Sequence, residues 1–395
     1  MSIPPFDAAA FVLSEQESTE IFEQGIVPAE FGGFEQNAAT LLRPSPTTSS
    51  DGRKAPVAVL IVGQTGAGKT RAAPVIKEVF ESVVRGKHRH DRDSGMAERE
   101  KEGQESEGAV IAHFIADTYK TYHPAYAALS ADEQMEHQPG RTSAATGPDA
   151  RRWLAMAARH AVALRLDVLL ESACRHPDDF AHLVQTFRGG GYRVEVALLA
   201  VPAGLSRLGI LTRFYRRPPR RQGSSLLARL TPKKVHDDSY EGLLRAAEFV
   251  DESSAVDQVV VLRRDNLVVF ANEKEEGENG RGKTWRHPGT GAADALRRER
   301  RRPLLEGERM AAVEDLARLR RVENGSGSDF LAQLADVEAL LEALLTETAS
   351  VNNEGFPEVR PLMLPSKMVS SSDECDCFVD LRLGTCLSML VPMGL

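Results

Sequence analysis

The sequence is poor in cysteine and in long hydrophobic runs. Its 395 residues include 4 cysteines, too few to cross-link a chain of this length, which predicts reduced thiols and a cytoplasmic protein. The longest hydrophobic runs, Val57–Val62 and Val196–Val201, are far shorter than the ~20 residues that span a bilayer. Residues 1–14 have neither a basic start nor an apolar core, so we expect no secretory signal and no membrane association.

An excess of positive charge is also lacking. The chain has 49 Lys and Arg against 57 Asp and Glu, a net charge of −8. A binder of duplex nucleic acid needs a broad basic face, so we expect no nucleic-acid partner. The hydrophobic fraction of 42% and the charged fraction of 27% exclude a wholly disordered or collagen-like chain.

The middle of the chain, residues 55–272, alternates short hydrophobic runs with helical patterns. Runs such as Val57–Val62 and Val194–Val201 are typical of strands buried on both faces. Stretches between the runs, such as Arg151–Leu166 and Asp178–Arg188, have helical periodicity. The alternation predicts an α/β fold in which helices cover both faces of a mostly parallel sheet.

The flanking regions are interpreted from their composition. Residues 1–54 predict an N-terminal helical arm and a linker, and Ser14 with Glu17 forms a capping box at the start of the arm's helix. Residues 85–108, almost all charged or small, predict a disordered insertion. Beyond the middle region we predict a charged linker over 273–309, a helical hairpin over 310–345 that docks on the main domain or on a partner, and an irregular tail over 346–395.

The segment after the first predicted strand carries the clearest chemistry. It matches the pattern G-x-x-x-x-G-K-[ST] at every fixed position, with a strand before it and a helix after it. Its glycines let backbone N–H groups surround phosphate oxygens, and the start of the helix favours the same anion. Lys69 would reach the β- and γ-phosphates, and the Thr70 hydroxyl would ligate Mg²⁺. We therefore predict ATP or GTP binding by Gly63, Gln64, Thr65, Gly66, Ala67, Gly68, Lys69 and Thr70; the lack of an N-K-x-D motif disfavours a GTPase switch.

A carboxylate is expected to face this loop from a neighbouring strand. Asp117 follows the predicted strand Val110–Ile115. Small-molecule kinases place an acid there, where it accepts the proton of a substrate hydroxyl. The alternative is that Asp117 caps a helix or lies on the surface. A motor ATPase would usually have, as its second motif, a strand that ends in Asp or Asp-Glu. The nearest candidate here is the strand that ends at Glu171, and it matches that motif poorly.

Several segments share their pattern and order with one family. The segment Asp117–Tyr126 reads D-T-Y-K-T-Y-H-P-A-Y, which resembles the D-x-[FY]-[KR]-x-x-H-P-x-[FY] segment of zeta toxins, the P-loop kinases of toxin–antitoxin systems. The similarity extends over about residues 14–272 and includes four further segments: Leu170–Arg175, Gly191–Pro202, Leu208–Phe214 and Ala228–Asp237.

The resemblance implies an activity and a set of roles. Zeta toxins use ATP and Mg²⁺ to phosphorylate the 3′-hydroxyl of the sugar in UDP-N-acetylglucosamine. A UDP-sugar substrate is therefore expected here; an antitoxin protein is a partner that the family allows but this chain does not reveal. Carried over by motif, Asp117 would be the general base and Lys69 would hold the phosphates. Arg213 and Arg229 would supply positive charge from a mobile lid, and Glu171 and Arg175 would line the acceptor cleft.

Two departures from the family pattern keep the acceptor open. Ile115 stands where the family usually has an Asp, and Ala155 stands where well-known members place a substrate-binding Glu. Two alternatives to UDP-N-acetylglucosamine kinase therefore remain. One is a P-loop kinase for another small hydroxylated acceptor, and the other is a catalytically degenerate nucleotide-binding module whose C-terminal helices recruit a partner.

Overall fold

The fold is built on a β-sheet whose central strand is completely buried. The structure is a computed structural model that describes residues 6–34, 55–93, 111–136, 140–215, 230–276, 282–289, 291–322, 328–346 and 360–361. The strands in these ranges are β1 (Val57–Val62), β2 (Ala112–Ile115), β3 (Val168–Ser172), β4 (Arg193–Leu199), β5 (Gln258–Leu262), β6 (Leu267–Glu276), β7 (Lys283–Trp285) and β8 (Arg360–Pro361).

Five neighbouring strands run parallel in the order β2-β3-β1-β4-β5. Strand β6 is antiparallel to β5, and β7 and β8 are antiparallel to β6. The short hydrophobic runs form strands because both faces of a parallel sheet are covered, so every position along β1 is apolar and fully buried. The parallel direction brings the carboxyl ends of β1, β2 and β3 to the same edge, where ligands bind in folds of this type.

Helices cover both faces of this sheet. They are α1 (Glu15–Ile21), α2 (Lys69–Asp93), α3 (Tyr126–Glu136), α4 (Arg141–Leu164), α5 (Pro177–Gly189), α6 (Ala203–Tyr215), α7 (Lys233–Glu252), α8 (Ala292–Arg301), α9 (Glu306–Val322) and α10 (Ser328–Thr346). One apolar core lies under α4, α5, α7 and α8, and the other under α2, α6, α9 and α10. The predicted α/β fold with a mostly parallel sheet and a C-terminal helical extension is confirmed.

Among the described residues, no helix combines the length and the hydrophobicity that a membrane span requires.

The N-terminal arm packs on α4 and on the segment that follows β2. Ser14 and Glu17 form the predicted capping box, with both reciprocal hydrogen bonds present. The indole Nε1 of Trp153 in α4 donates to the carbonyl oxygen of Ser18 at 2.8 Å. Farther along the arm, the Tyr122 hydroxyl donates to Oε1 of Glu30 at 2.7 Å. The arm is therefore joined by hydrogen bonds to the main fold at two separate places.

The C-terminal hairpin packs on α6. The rings of Tyr215 and Phe330 lie 4.4 Å apart between centroids. A Cβ atom on Gly204 of α6 would lie 2.7 Å from a methyl carbon of Leu341 in α10, so the absence of a side chain lets the two helices approach. The hairpin therefore docks on the same chain, against the helix that carries Arg213 in its last turn.

The prediction of a charged linker over 273–309 is wrong. This stretch completes β6, forms β7 and α8, and begins α9. Its charges are paired rather than solvated: Glu299 accepts a hydrogen bond from Nε of Arg263 at 2.5 Å and a shorter one from Arg302. Arg302 in turn donates to Glu308 at 2.6 Å. Composition indicated a linker because a network of buried ion pairs has the same charge content as a solvated segment.

The disordered insertion predicted over 85–108 is wrong in its first part. Helix α2 continues to Asp93, because Arg, Lys and His are all acceptable in a helix interior. Residues 94–110 lie outside the described residues, as do most of the linker expected before β1 and nearly all of the tail predicted over 346–395.

The contact between α7 and the loop after β3 generates a test of this packing. A Cβ atom on Gly242 would lie 2.1 Å from the backbone oxygen of Cys174, a residue that itself has a φ of 53°. We expect Gly242→Ala to lower the free energy of unfolding by about 1–3 kcal/mol, the usual cost of overpacking. Gly307→Ala in α9 is the control, because its Cβ would meet nothing within 4 Å. Urea unfolding measures both, and a Gly242→Ala protein as stable as the control would contradict the close contact.

Candidate active site

The loop between β1 and α2 has a backbone that only glycine can adopt at two positions. Gly66 has a φ of 82° and Gly68 a φ of 103°, in the region that L-residues with a Cβ atom avoid. A Cβ on Gly66 would also lie 2.1 Å from the backbone oxygen of Ser206 at the start of α6. Conformation and space therefore both require the glycine at this position.

The loop and the first turn of α2 present backbone donors at the carboxyl edge of the sheet. The Thr70 side chain, in the first turn, is exposed. Free N–H groups at the start of a helix form an anion site, helped by the helix dipole. Within the part of the chain that the structure describes, no group accepts a hydrogen bond from the backbone N–H groups of Gly66, Gly68, Lys69 and Thr70.

Lys69 brings the predicted site residues together. Its Nζ donates to the carbonyl oxygen of Gly63 at 2.6 Å. Burial lowers the pKa of Lys69, while the charges of Asp117 and Glu171 raise it and that of Arg213 lowers it further. Charged groups from three other elements, the segment after β2, strand β3 and helix α6, therefore act on the pKa of the ammonium, and they include both negative and positive charge.

Asp117 lies directly after β2 and is exposed to solvent. It precedes a short 3₁₀ helix, Thr118–Tyr122, but its side chain makes no capping hydrogen bond. One carboxylate oxygen instead accepts from Nζ of Lys120 at 2.7 Å. The structure therefore lacks the side-chain helix cap of the alternative interpretation, although Asp117 does lie on the surface, as that interpretation also allowed. Lys120 had no predicted role, although its position in the shared segment was visible in the sequence.

Glu171 is buried at the end of β3 and is paired with a residue that sequence reasoning missed. Its Oε1 lies 2.9 Å from Nε2 of His113 in β2. Ile115 is opposite Glu171 in the parallel register, and His113 is on the same face two residues earlier. Strand alternation could have placed the imidazole near the carboxylate, but only with the order of the strands already known.

The remaining predicted residues are spread around this centre. Nε of Arg175 donates to Asp238 at 3.3 Å, and Asp238 also accepts from Lys234 at 2.9 Å. Arg213 is exposed in the last turn of α6. Arg229 lies outside the described residues, so its predicted role stays a prediction.

Two arginines that the sequence did not single out contact the back of the phosphate-binding loop. Nη2 of Arg264, in the turn between β5 and β6, donates to the carbonyl oxygen of Gly66 at 3.3 Å. Nη2 of Arg300, in α8, donates to the side-chain oxygen of Gln64 at 3.2 Å. Both come from far along the chain, and no local motif marks either of them.

Comparisons of the sequence with known proteins give one family. The family model described as Zeta toxin matches residues 40–93 and 96–276. Toxin PezT of Streptococcus pneumoniae serotype 4 (strain ATCC BAA-334 / TIGR4) is 25% identical over 245 residues, which cover 61% of this chain and 81% of that toxin. The family match covers more than half of the chain and includes the loop, Asp117 and Glu171.

Two solved structures are similar at low sequence identity. One belongs to the PezAT chromosomal toxin–antitoxin system of the human pathogen Streptococcus pneumoniae; it is 19% identical, with a TM-score of 0.43, over 85% of this chain and 99% of that one. The other is the crystal structure of AvrRxo1-ORF1:-ORF2 with ATP, 12% identical, with a TM-score of 0.36, over 87% of this chain and 96% of that one. The family assignment depends on the sequence match and not on these two likenesses.

The position of Lys69 over the loop predicts its effect on nucleotide binding. We expect Lys69→Ala to weaken ATP binding at least tenfold, because a charge-assisted contact to phosphate contributes about 1.5–3 kcal/mol. Lys77→Ala is the matched control, since Lys77 lies on the same helix and pairs with Glu81 at the surface. Calorimetric titration with Mg·ATP measures both affinities. Equal affinities for the two variants would show that Lys69 does not contact the nucleotide.

Proposed function

Because the chain belongs to the zeta toxin family of P-loop kinase-like toxins, we propose that it transfers the γ-phosphoryl group of ATP to a hydroxyl of UDP-N-acetylglucosamine. The observation that carries the proposal is the parallel register of β1, β3 and β2, which places Lys69, Asp117 and Glu171 after or at strand ends on one edge of the sheet; the charges of Asp117 and Glu171 raise the pKa of Lys69. Phosphoryl transfer needs positive charge around the phosphoryl oxygens and a base at the attacking hydroxyl, and this edge of the sheet supplies both.

The phosphate-binding loop supplies the nucleotide site. The positive-φ glycines open the backbone, and the N–H groups at the start of α2 fit the charge of a triphosphate. Mg²⁺ in such sites is held by phosphate oxygens, waters and few protein groups, and Thr70 is the residue that would hold it here. The ion would neutralise the charge that develops on the phosphates.

Asp117 is proposed as the general base. Its carboxylate is exposed to solvent, and one of its oxygens accepts from Nζ of Lys120 at 2.7 Å. A carboxylate at this position could accept the proton of a hydroxyl as that hydroxyl attacks. Arg213 and, by family resemblance, Arg229 would stabilise the charge on the group in transfer.

The acceptor cleft is assigned to the side of Glu171 and Arg175. UDP-N-acetylglucosamine is the first candidate because the family resemblance includes these two positions. A second candidate, another small hydroxylated acceptor, is favoured by one observation: Ile115 is 40% exposed at this edge, where the family usually has an Asp. An apolar side chain at that point would make no hydrogen bond to a sugar hydroxyl.

A partner protein is also proposed by similarity. PezT is named as a toxin, and zeta toxins are the P-loop kinases of toxin–antitoxin systems. We extend to this chain the expectation of an antitoxin that suppresses its activity. Co-purification of the chain with the product of a neighbouring gene, and loss of kinase activity in the complex, would support this extension.

The substrate is tested by supplying ATP, Mg²⁺ and UDP-N-acetylglucosamine and following ADP together with a phosphorylated nucleotide sugar. We expect ADP release to depend on the nucleotide sugar. If ADP release does not depend on the nucleotide sugar, and another alcohol from an acceptor panel is phosphorylated, the second candidate would be favoured. Nucleotide binding without turnover on any acceptor would favour the degenerate module.

The role of Asp117 predicts a separation of binding from chemistry. Asp117→Asn should lower the turnover number by about 10²–10⁴-fold, the usual contribution of a general base, and leave the affinity for ATP within about twofold, since the loop is untouched. Asp132→Asn, at another exposed aspartate on α3, is the control and should keep full turnover. A parallel loss of ATP affinity and turnover in Asp117→Asn would instead assign Asp117 to the structure of the site.

A further inference from the structure

The side chain of Gln64, the second residue of the phosphate-binding loop, is completely buried and held at both ends. Its Nε2 donates to the backbone oxygen of Val201 at 2.7 Å and lies 3.4 Å from the hydroxyl of Ser206. Its Oε1 accepts from Nη2 of Arg300 at 3.2 Å. A loop residue is thus fixed by α8, an element more than 200 positions away in the chain.

Arg300 is itself buried and oriented by an aromatic ring. It is 8% exposed, and the central carbon of its guanidinium lies 3.6 Å from the centroid of the Tyr240 ring in α7, the geometry of a cation–π contact. Burial lowers the pKa of Arg300 to about 10, so the group stays protonated at neutral pH. A buried cation of this kind needs its hydrogen-bond partner, and Gln64 is the partner that faces the loop.

The backbone of Gln64 connects this contact to the phosphate site. Its carbonyl oxygen accepts from the N–H of Ala67 at 3.0 Å, which closes the turn of the loop. The same oxygen lies 3.5 Å from Nζ of Lys69. A shift of the Gln64 side chain would therefore displace both the turn of the loop and Lys69.

Helix α8 is firmly placed on the core. Glu299, next to Arg300, forms the buried ion pairs with Arg263 and Arg302. Leu296, one turn earlier, is fully buried in the core. This helix lies beyond residues 40–93 and 96–276, which match the zeta toxin family model, so the contact is a feature of the extension that follows the matched region.

We propose that Arg300 is a positioning residue for the phosphate-binding loop: through Gln64 it holds the loop backbone in the shape that binds ATP. The C-terminal extension thereby becomes a part of the nucleotide site without touching the nucleotide. The proposal rests on the nucleotide-binding part of the proposed function, and it is independent of the acceptor.

The test compares variants of the full chain. Arg300→Ala should weaken Mg·ATP binding about tenfold in calorimetric titration, the effect expected for one charge-assisted hydrogen bond. In turnover assays the KM for ATP should rise by a similar factor, while kcat at saturating ATP stays within about twofold. Arg298→Ala, at an exposed arginine of the same helix, is the matched control and should bind ATP like the unmodified protein.

A double-mutant cycle separates positioning from general stability. If Arg300 acts through Gln64, the double variant Arg300→Ala, Gln64→Ala should bind ATP no more weakly than Gln64→Ala alone. Arg300→Lys, which keeps the charge but loses the planar group, should lie between Arg300→Ala and the unmodified protein. If the losses of ATP affinity in the two single variants multiply in the double variant, Arg300 would be assigned to the stability of α8 and the proposal would be overturned.

The outcomes distinguish this inference from the proposed function. Unchanged ATP affinity in Arg300→Ala would overturn the inference alone. Tight ATP binding that depends on Arg300, without phosphorylation of UDP-N-acetylglucosamine, would support the inference and overturn the proposed acceptor. If the unmodified protein bound no ATP, both would be wrong.

Discussion

One ammonium group at the end of a parallel sheet organises this protein. Lys69 is positioned by a loop that follows β1, and its burial would be unfavourable without compensation. Carboxylates that follow β2 and end β3, Asp117 and Glu171, provide that compensation from neighbouring strands. The parallel arrangement makes this possible, because it brings three consecutive strand ends to one edge. Without this edge, the charges of the proposed kinase site would be scattered over the chain.

Much of this arrangement could be predicted from the sequence because the signals are local. The buried strand Val57–Val62, a glycine-rich turn and a helix that begins at Lys69 follow one another directly along the chain, and each has its own pattern. Alternation of apolar runs with helical stretches then fixed the fold class. The same holds for the capping box of Ser14, where the two partners are three positions apart.

The parts that were missed depend on contacts between distant positions. His113 and Glu171 meet only because β2 and β3 are neighbours, and Arg300 meets Gln64 only because α8 returns to the sheet. The region 273–309 was interpreted as a linker because its arginines and glutamates are those of a solvated segment. Pairing across the fold turns the same charges into buried structure, and composition cannot show which partner each charge finds.

The N-terminal arm has a consequence for the segment that carries Asp117. On one side of this residue is β2, held in the sheet; on the other is Tyr122, hydrogen-bonded to Glu30, and then His123, whose ring nitrogen lies 3.0 Å from the backbone oxygen of Phe11. A stretch of only a few residues between two anchors has little conformational freedom. The carboxylate is thus held in place by the fold itself, so the proposed base would need little rearrangement when an acceptor binds.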